Sequence, residues 1–236
     1  MRTAARRIGT MMIVAGALLL VWSVVVWQWQ DPFTALYTKY RQHQLASQYS
    51  KAAAAYHAVR IPNRAPLAEM RRTIAAEGAR YRRSAKRGQA IGRIVVPRLG
   101  LNMILVNGTD HTSLMKGPGR DLRTFMPGQD ELVYIAGHRT TYLAPFAHIE
   151  RLRRGDAVRI ELPYADFRYE ITTHVIVRAD DVSRLRSHHR ELLALQACHP
   201  RFFASHRYIA YARLVRVQPR HGPAYAVASA TLAARP

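Results

Sequence analysis

An uncharged segment near the N-terminus, from Ile8 to Gln30, most constrains the fold of this 236-residue chain. A helix needs about 20 predominantly apolar residues to cross the hydrocarbon core of a bilayer, and this segment is long enough. Arg2, Arg6 and Arg7 precede it, and tryptophans crowd its far end, where indole rings favour the membrane interface. The sequence therefore predicts a transmembrane helix over residues 8–30.

The arginines before this segment predict its orientation. Basic residues stay on the cytoplasmic side, so residues 1–7 form a basic cytoplasmic N-terminus and the rest of the chain lies outside the cell. A cleaved signal peptide is the alternative. The apolar run is longer than the core of a usual signal peptide, and residues 24–30 contain no small-x-small cleavage site. We therefore expect an uncleaved signal anchor in a single-pass protein of the cell membrane, with the domain that follows it extracellular.

The formal net charge of +21 is extreme, and most of it comes from arginine. Such a charge favours anionic partners, namely nucleic acid, acidic phospholipid or an acidic wall polymer. The arginines are spread along the whole chain, however, and biased codon usage also explains an excess of arginine and alanine. Zinc-finger spacing, a helix-turn-helix signature and the aromatic-basic pattern of RNA-binding sheets are all missing from the sequence. We therefore expect no nucleic-acid partner.

Two regions flank the part of the chain that is rich in β signals. Residues 31–87 are rich in Ala, Gln, Arg and Tyr, and helices are expected over Thr34–His57 and Pro66–Arg83 with a break at Ile61–Arg64. The hydrophobic pattern there is thin, which predicts a juxtamembrane stalk that is helical or flexible. At the other end, residues 218–236 are rich in alanine and proline, and we expect a disordered tail.

From Gly88 onwards, short β-rich runs alternate with turn residues such as Pro97 and the Asn107–Gly108 pair. Many short strands with few helices favour a closed barrel or a sandwich, here over residues 88–217. A short helix is expected at Ala144–Arg151. The predicted strands are Ala90–Val96, Asn102–Val106, Glu131–Ala136, Ala157–Leu162, Phe167–Arg178, Leu192–Cys198 and Arg207–Val217.

The single cysteine, Cys198, ends one of these apolar runs and has no partner within the chain for a disulfide. The thiolate, not the thiol, is the nucleophile, and it needs a nearby base or cation because a free thiol ionises only near pH 8.5. Cys198 is thus a candidate nucleophile for acyl transfer. The alternative is a buried free thiol that acts as a small hydrophobic side chain.

His138 is the best candidate for the base among eleven histidines. It directly follows the apolar run Leu132–Gly137, so its imidazole is expected at a strand end, a common place for catalytic groups. His199 is adjacent to Cys198, but alternation along a strand would point it to the opposite face, and we interpret it as a turn residue. His188 and His189 lie in a basic loop and are expected to be exposed.

Arg207 is the candidate cation, because it opens the last predicted strand. If that strand pairs antiparallel with the one that ends at Cys198, the short connection brings Arg207 back near the thiol. A guanidinium there can stabilise a carbonyl oxygen as it gains negative charge. Arg213 lies on the same face further along the strand and is the competing candidate, and an ordinary surface or ion-paired arginine is the alternative for either.

The order His138, Cys198, Arg207 in a β-rich domain behind a signal anchor resembles the sortases, cysteine transpeptidases of Gram-positive cell surfaces. The resemblance is most specific in Glu131–Tyr142 and in Leu195–Pro200. It extends over about residues 88–217, and its Gly-His-Arg-Thr-Thr-Tyr segment is similar to the class E sortases of actinobacteria. The sequence departs from the family at one position, since alanine stands at residue 197, directly before the cysteine, where sortases usually carry threonine.

The resemblance implies a mainly β fold, a sortase-type eight-stranded β-barrel with short helices. It implies that Cys198 attacks the Thr–Gly bond of an LPxTG- or LAxTG-type sorting signal and forms a thioester. Arg207 would stabilise the oxyanion, and His138 would act as general acid and base. The implied partners are secreted proteins with C-terminal sorting signals and a lipid-linked peptidoglycan precursor. Some sortases use calcium, but acidic residues are few here and lack calcium-loop spacing, so no metal or other cofactor is expected.

Two other functions were weighed. Gln196–Cys198 matches part of a caspase signature, but His199 and Pro200 replace its last residues, and caspases alternate helices with parallel strands. A non-enzymatic alternative is a catalytically weak sortase-like domain that binds anionic wall polymer or the membrane surface. Ala197 and the charge of +21 motivate this second reading.

Overall fold

The computed structural model describes residues 2–29 and 32–227. The helices are α1 (Arg2–Trp29), α2 (Pro32–Ala54), α3 (Leu67–Ser84) and α4 (His111–Leu114). The strands are β1 (Ala90–Val96), β2 (Leu101–Asn107), β3 (Gly119–Arg120), β4 (Leu132–Ala136), β5 (Ala157–Glu161), β6 (Ala165–Arg178), β7 (Leu192–His199), β8 (His206–Pro219) and β9 (Tyr225–Ala226).

Eight of the strands form a closed barrel. Their order is β6-β5-β1-β2-β3-β4-β7-β8, and β6 pairs with β8 to close the ring, while β9 adds to β8. The β2–β3 and β4–β7 pairs are parallel, and the other neighbouring strands are antiparallel. The barrel prediction is confirmed, and the seven predicted strands match observed ones to within two residues at either end. The short strands β3 and β9 were not predicted.

Alternation along the strands separates an inner from an outer face. In β7, Leu193, Leu195 and Ala197 belong to the core inside the barrel. Ala194 belongs instead to a smaller apolar cluster on the outer face, with Tyr134 of β4 and Ile209 of β8. Cys198 follows the even-numbered residues of β7 and therefore lies on the outer face.

The helix expected at Ala144–Arg151 is mostly missing. Only Ile149–Arg151 form a single 3-10 turn. Just before it, Tyr142, Leu143 and Ala144 have φ angles of 52°, 61° and 37°. A right-handed helix cannot run through this left-handed backbone, which residues with side chains rarely adopt.

Disorder was predicted from residue 218, and this prediction is wrong for the part that the structure describes. Gln218 and Pro219 are the last residues of β8, and Tyr225 in β9 pairs with Val217. The Tyr225 ring is buried in the barrel core, which an alanine- and proline-rich composition did not indicate. Residues 228–236 of the predicted tail lie outside the described residues.

Helix α1 contains the segment Thr3–Val24, whose 22 residues are long and apolar enough to cross a membrane, and none of them is buried in the protein. This segment overlaps the span predicted at residues 8–30. Residue 30 itself lies outside the described residues.

Helix α2 packs on the barrel through a face that is partly polar and partly apolar. Thr38, Gln42, Leu45 and Tyr49 follow the spacing of one helical face, and Thr38 and Leu45 are buried. The Gln42 side chain accepts from the Ile104 N–H of β2 at 2.6 Å and donates to the Ile104 carbonyl at 3.1 Å. Tyr49 donates to the backbone carbonyl of a β5 residue. Hydrogen bonds and a small apolar cluster around Leu45 and Ile104 together hold this helix.

Helix α3 also lies against the barrel, with one face formed by Ile74, Glu77, Gly78 and Tyr81 buried. Ile74 and Tyr81 belong to the main core, and the Tyr81 hydroxyl donates to the carbonyl of Ile91 in β1. The region predicted as a helical or flexible stalk therefore comprises two helices docked on the barrel. The sequence predicted where both helices lie along the chain, but it did not predict that they pack on the barrel.

Two glycines test the docking of α3. Gly128 and Gly155 have nearly equal φ angles, 88° and 89°. A Cβ at Gly128 would meet Cγ2 of Ile74 at 2.5 Å and the Phe167 ring at 3.0 Å, whereas one at Gly155 would meet nothing within 4 Å. Gly155→Ala should cost only the backbone strain, about 1–2 kcal/mol of unfolding free energy. Gly128→Ala should cost about 1–3 kcal/mol more, because α3 must shift.

Denaturant unfolding of the detergent-solubilised full chain measures both values. Equal costs for the two variants would contradict the tight packing of α3 on the barrel.

Candidate active site

The three side chains singled out in the sequence lie on adjacent strands at one level of the barrel. β4 and β7 are parallel, with Ala136 beside Gln196, and extending this register by two residues places His138 beside Cys198. The Gly137 N–H donates to the carbonyl of Gln196 at 3.0 Å, which continues the pairing beyond β4. On the other side of β7, Cys198 is directly opposite Arg207 of β8.

Residues at matching register positions of neighbouring strands project from the same face. His138, Cys198 and Arg207 therefore share the outer face, where neighbouring strands are about 4.8 Å apart. The antiparallel pairing on which the choice of Arg207 depended is confirmed. Arg213, the competing candidate, is opposite Leu192 at the far end of β7 and forms an ion pair with Glu170 at 3.2 Å.

A small buried apolar cluster lies along the same three strands. It consists of outer-face side chains of β4, β7 and β8, joined by Val177 of β6. Leu185, in the 3-10 turn Val182–Leu185 between β6 and β7, packs against the cluster. The outer face is therefore packed over part of its area rather than open to solvent. The cluster comprises Leu132, Tyr134, Val177, Ala194 and Ile209.

The His138 imidazole is enclosed. Its Nε2 atom is buried and has no hydrogen-bond partner among the described residues. The Tyr142 ring lies 4.9 Å from the imidazole, and His111 of α4 lies 6.3 Å beyond Tyr142. Burial, and secondarily the charge of His111, lower the pKa of His138 below its usual range. The lowered pKa favours the neutral form of the imidazole.

Cys198 and Arg207 are less enclosed. Cys198 is a partly exposed free thiol. The Arg207 guanidinium donates through Nη1 to the backbone carbonyls of Ala204 at 2.8 Å and His206 at 3.0 Å. These two bonds join the guanidinium to the β7–β8 connection and to the first residue of β8.

Arg139 is a site residue that the sequence did not predict. Its side chain is only 6% exposed, and its Nη1 donates to the carbonyl of Cys198 at 3.1 Å. The same nitrogen lies 2.9 Å from Nδ1 of His199, and Nη2 donates to Glu150 at 2.8 Å. Arg139 thus ties the end of β7 to the turn at residues 149–151. The alternation of side chains along the strand direction is the sequence signal for this arginine. If His138 faces outward, the next residue faces inward, where an arginine requires partners.

His199 lies on the face that the sequence predicted for it, and His188 and His189 are exposed as predicted. His199 is on the face opposite Cys198, although it is the last residue of β7 and not a turn residue. Burial and the charge of Arg139 lower the pKa of His199, which keeps Nδ1 free to accept from that guanidinium. His188 is exposed, and the His189 side chain is 91% exposed and paired with Glu131.

Over residues 2–29 and 32–227, no three His, Cys, Asp or Glu side chains are grouped closely enough to hold a metal ion. The site presents a thiol, an imidazole and a guanidinium. Groups of these three kinds can act as a nucleophile, a proton carrier and a fixed positive charge.

Comparisons with known proteins identify the family of the domain. The sortase domain matches residues 94–215. Sortase D of Bacillus subtilis is 35% identical over 132 residues, which cover 54% of this chain and 65% of that protein. Sortase SrtE1 of Streptomyces coelicolor is 26% identical over 161 residues, covering 61% of this chain and 46% of that protein. The match thus spans less than two thirds of the length of either relative.

Solved structures share the fold. Sortase E of Streptomyces avermitilis superposes with a TM-score of 0.51 at 32% identity, covering 57% of this chain and 93% of that one. The Sortase D5 transpeptidase of Clostridium perfringens superposes with a TM-score of 0.59 at 21% identity, covering 74% and 98%.

A sortase domain that matches just over half of the chain, on a barrel shared with solved sortases, establishes the family. This chain belongs to the sortases, a family of cysteine transpeptidases.

Proposed function

We propose that this protein is a membrane-anchored sortase that cleaves an LPxTG- or LAxTG-type sorting signal between Thr and Gly and transfers the protein to an amine of a cell-wall precursor. One observation carries the proposal. The registers of β4, β7 and β8 align His138, Cys198 and Arg207 at one level of the outer face. The catalytic roles follow from that alignment.

In the first half-reaction, the neutral imidazole of His138 takes the proton of the Cys198 thiol as the sulfur attacks the threonine carbonyl carbon. The carbonyl oxygen gains a negative charge, which the Arg207 guanidinium stabilises. The C–N bond to glycine then breaks, and protonated His138 gives its proton to the leaving amine. The product is a thioester on Cys198, and His138 is neutral again.

In the second half-reaction, the amine of the precursor attacks the thioester carbon. His138 takes a proton from this amine, and Arg207 again stabilises the oxyanion. The C–S bond breaks, the sulfur recovers its proton from His138, and the new amide is released. Each proton that His138 accepts is returned within the same half-reaction.

Ala197 does not weaken this proposal. Its side chain is fully buried in the core inside the barrel, on the face opposite Cys198. Replacing the usual threonine by alanine therefore changes core packing beneath the nucleophile and removes no group from the outer face where a sorting signal would bind.

The anchor fits the same reaction. Residues Thr3–Val24 would hold the barrel at the outer surface of the membrane, and both implied substrates are tethered there. Confining enzyme, secreted protein and lipid-linked precursor to one surface raises their effective concentrations without any additional contact.

The second candidate function is a catalytically weak sortase-like domain that binds anionic wall polymer or the membrane surface, which the charge of +21 favours. Incubating the solubilised full chain with both signal peptides and a small amine separates the two functions. Exchange product and a Cys198 thioester, detected by mass spectrometry, support the transpeptidase. Their absence with both peptide types favours the binding module.

The first prediction concerns the nucleophile and its cation. Cys198→Ala should abolish exchange, and Arg207→Ala should lower kcat/KM about 100-fold or more, because the oxyanion loses its charge partner. Arg213→Ala is the matched control and should change kcat/KM less than about threefold, since Arg213 forms a partly exposed ion pair with Glu170 at the far end of β7. Greater damage from Arg213→Ala would contradict the assignment of Arg207.

The second prediction concerns pH. Because its pKa is lowered, His138 loses its proton at a lower pH than an ordinary histidine does. A plot of kcat/KM against pH should therefore rise along an acidic limb centred below pH 6.5. His111→Gln removes a positive charge that disfavours protonated His138, so the pKa of His138 should rise and the acidic limb should move to higher pH. Cys198 and Tyr142, the other titratable groups beside the imidazole, stay in place. A limb that stays or moves to lower pH would count against His138 as the base.

The third prediction concerns Arg139. Arg139→Lys should lower the unfolding free energy by about 2–3 kcal/mol. The planar guanidinium bonds the Cys198 carbonyl and Glu150 at the same time, and the single ammonium group of lysine cannot replace both bonds. The exchange rate should fall as well. Arg71→Ala, which removes the exposed pair with Asp130, should cost at most about 1 kcal/mol in the same denaturant experiment. Equal costs would show that Arg139 does not hold β7.

A further inference from the structure

The segment that follows His138 has an unusual backbone. Tyr142, Leu143 and Ala144 are consecutive residues with φ of 52°, 61° and 37°. Residues with a Cβ rarely adopt the left-handed region even singly, so three in succession persist only where the surroundings hold them.

Local and long-range hydrogen bonds hold this segment. The Ala144 N–H donates to the Thr141 carbonyl at 2.8 Å, the Ala147 N–H donates to the Ala144 carbonyl at 2.9 Å, and the Phe146 N–H donates to the His138 carbonyl at 3.1 Å. These bonds are local. A further bond comes from a distant part of the chain, where the Tyr142 N–H donates to Oγ1 of Thr34 in α2 at 3.0 Å.

Tyr142 is also the residue that encloses the His138 imidazole. The centroids of the two rings are 4.9 Å apart with an angle of 43° between their planes. On its other side, Tyr142 meets the edge of His111 at 6.3 Å and 88°. We therefore expect the position of the Tyr142 backbone to affect how much water reaches His138.

We infer that Thr34 holds Tyr142 over His138, so that the helix following the membrane anchor positions the catalytic imidazole. Tyr142 and Thr34 are positioning residues here. The inference rests on the proposed role of His138 and extends it, because it makes the first turn of α2 part of the support of the active site.

The remaining side-chain bonds from α2 to the barrel distinguish this contact from ordinary docking. Thr38 donates to the Met115 carbonyl, Gln42 bonds the backbone of Ile104 and Lys116, and Tyr49 donates to Glu161. These acceptors lie in or near β2, α4 and β5, away from residues 139–147. Tyr49→Phe is thus a matched control that removes one bond of α2 to the barrel without altering the support of His138.

The test is an NMR titration of the His138 ring in the histidine-labelled full chain in detergent micelles, with His138→Gln to assign its resonance. Thr34→Val removes the acceptor of the Tyr142 N–H, admits water to the imidazole and favours its protonated form. The His138 titration midpoint should then rise by about half a pH unit. Thr34→Ser keeps an acceptor oxygen and should restore the wild-type midpoint, and Tyr49→Phe should leave it unchanged. His111, Cys198 and Arg207, the other titratable or charged groups around His138, are the same in every variant.

Tyr142→Ala removes the covering ring and should give the same upward shift, and adding Thr34→Val to it should shift the midpoint no further. A midpoint unchanged in Thr34→Val, with circular dichroism showing an intact fold, would overturn the inference. If Thr34→Val does not fold, the His138 midpoint of Tyr142→Ala is the test instead. An unchanged midpoint in that variant would also overturn the inference. The titration uses no substrate, so a failure of peptide exchange would contradict the proposed function and leave this result standing.

Discussion

The active-site geometry depends on the pairing of β7 with its two neighbours. The parallel register with β4 and the antiparallel register with β8 bring residues 60 positions apart, and residues across a short connection, to one level of the barrel. A slip of one residue in either pairing would move a functional side chain to the other face. The backbone pairing of β7 therefore sets the positions of the proposed catalytic groups, and a buried apolar cluster packs on the same face.

The inner and outer faces of the barrel have different roles at the site. On the inner face, Ala197 packs in the core, and Arg139 and His199 lock the end of β7 through the Cys198 carbonyl. On the outer face, the Cys198 sulfur stays free for chemistry. A buried arginine needs partners for its donors, and two of the Arg139 nitrogens find them in the backbone of Cys198, the ring of His199 and the carboxylate of Glu150. Helix α2 supports the other side of the site through Thr34, so the membrane-proximal part of the chain and the strands converge on His138.

Much of this organisation was predictable. The strands were recognised because apolar alternation and turn residues are local signals, and Cys198, His138 and Arg207 were singled out by their places at strand ends. The two short strands were missed because two residues carry no period. The docking of α2 was missed because Thr38 and Gln42 bond to backbone groups, which a search for apolar periodicity does not detect.

The sequence by itself determined the order of the strands along the chain, an apolar N-terminal helix that fits a membrane span, and the candidate nucleophile, base and cation, because each depends on the local pattern of residues. Only the tertiary structure decided which faces these side chains share, that Arg139 holds the nucleophile, and that Tyr142 covers His138. Those outcomes depend on strand register and on a contact between residues 108 positions apart, and such long-range pairings are set by the packing of the whole domain rather than by any one segment.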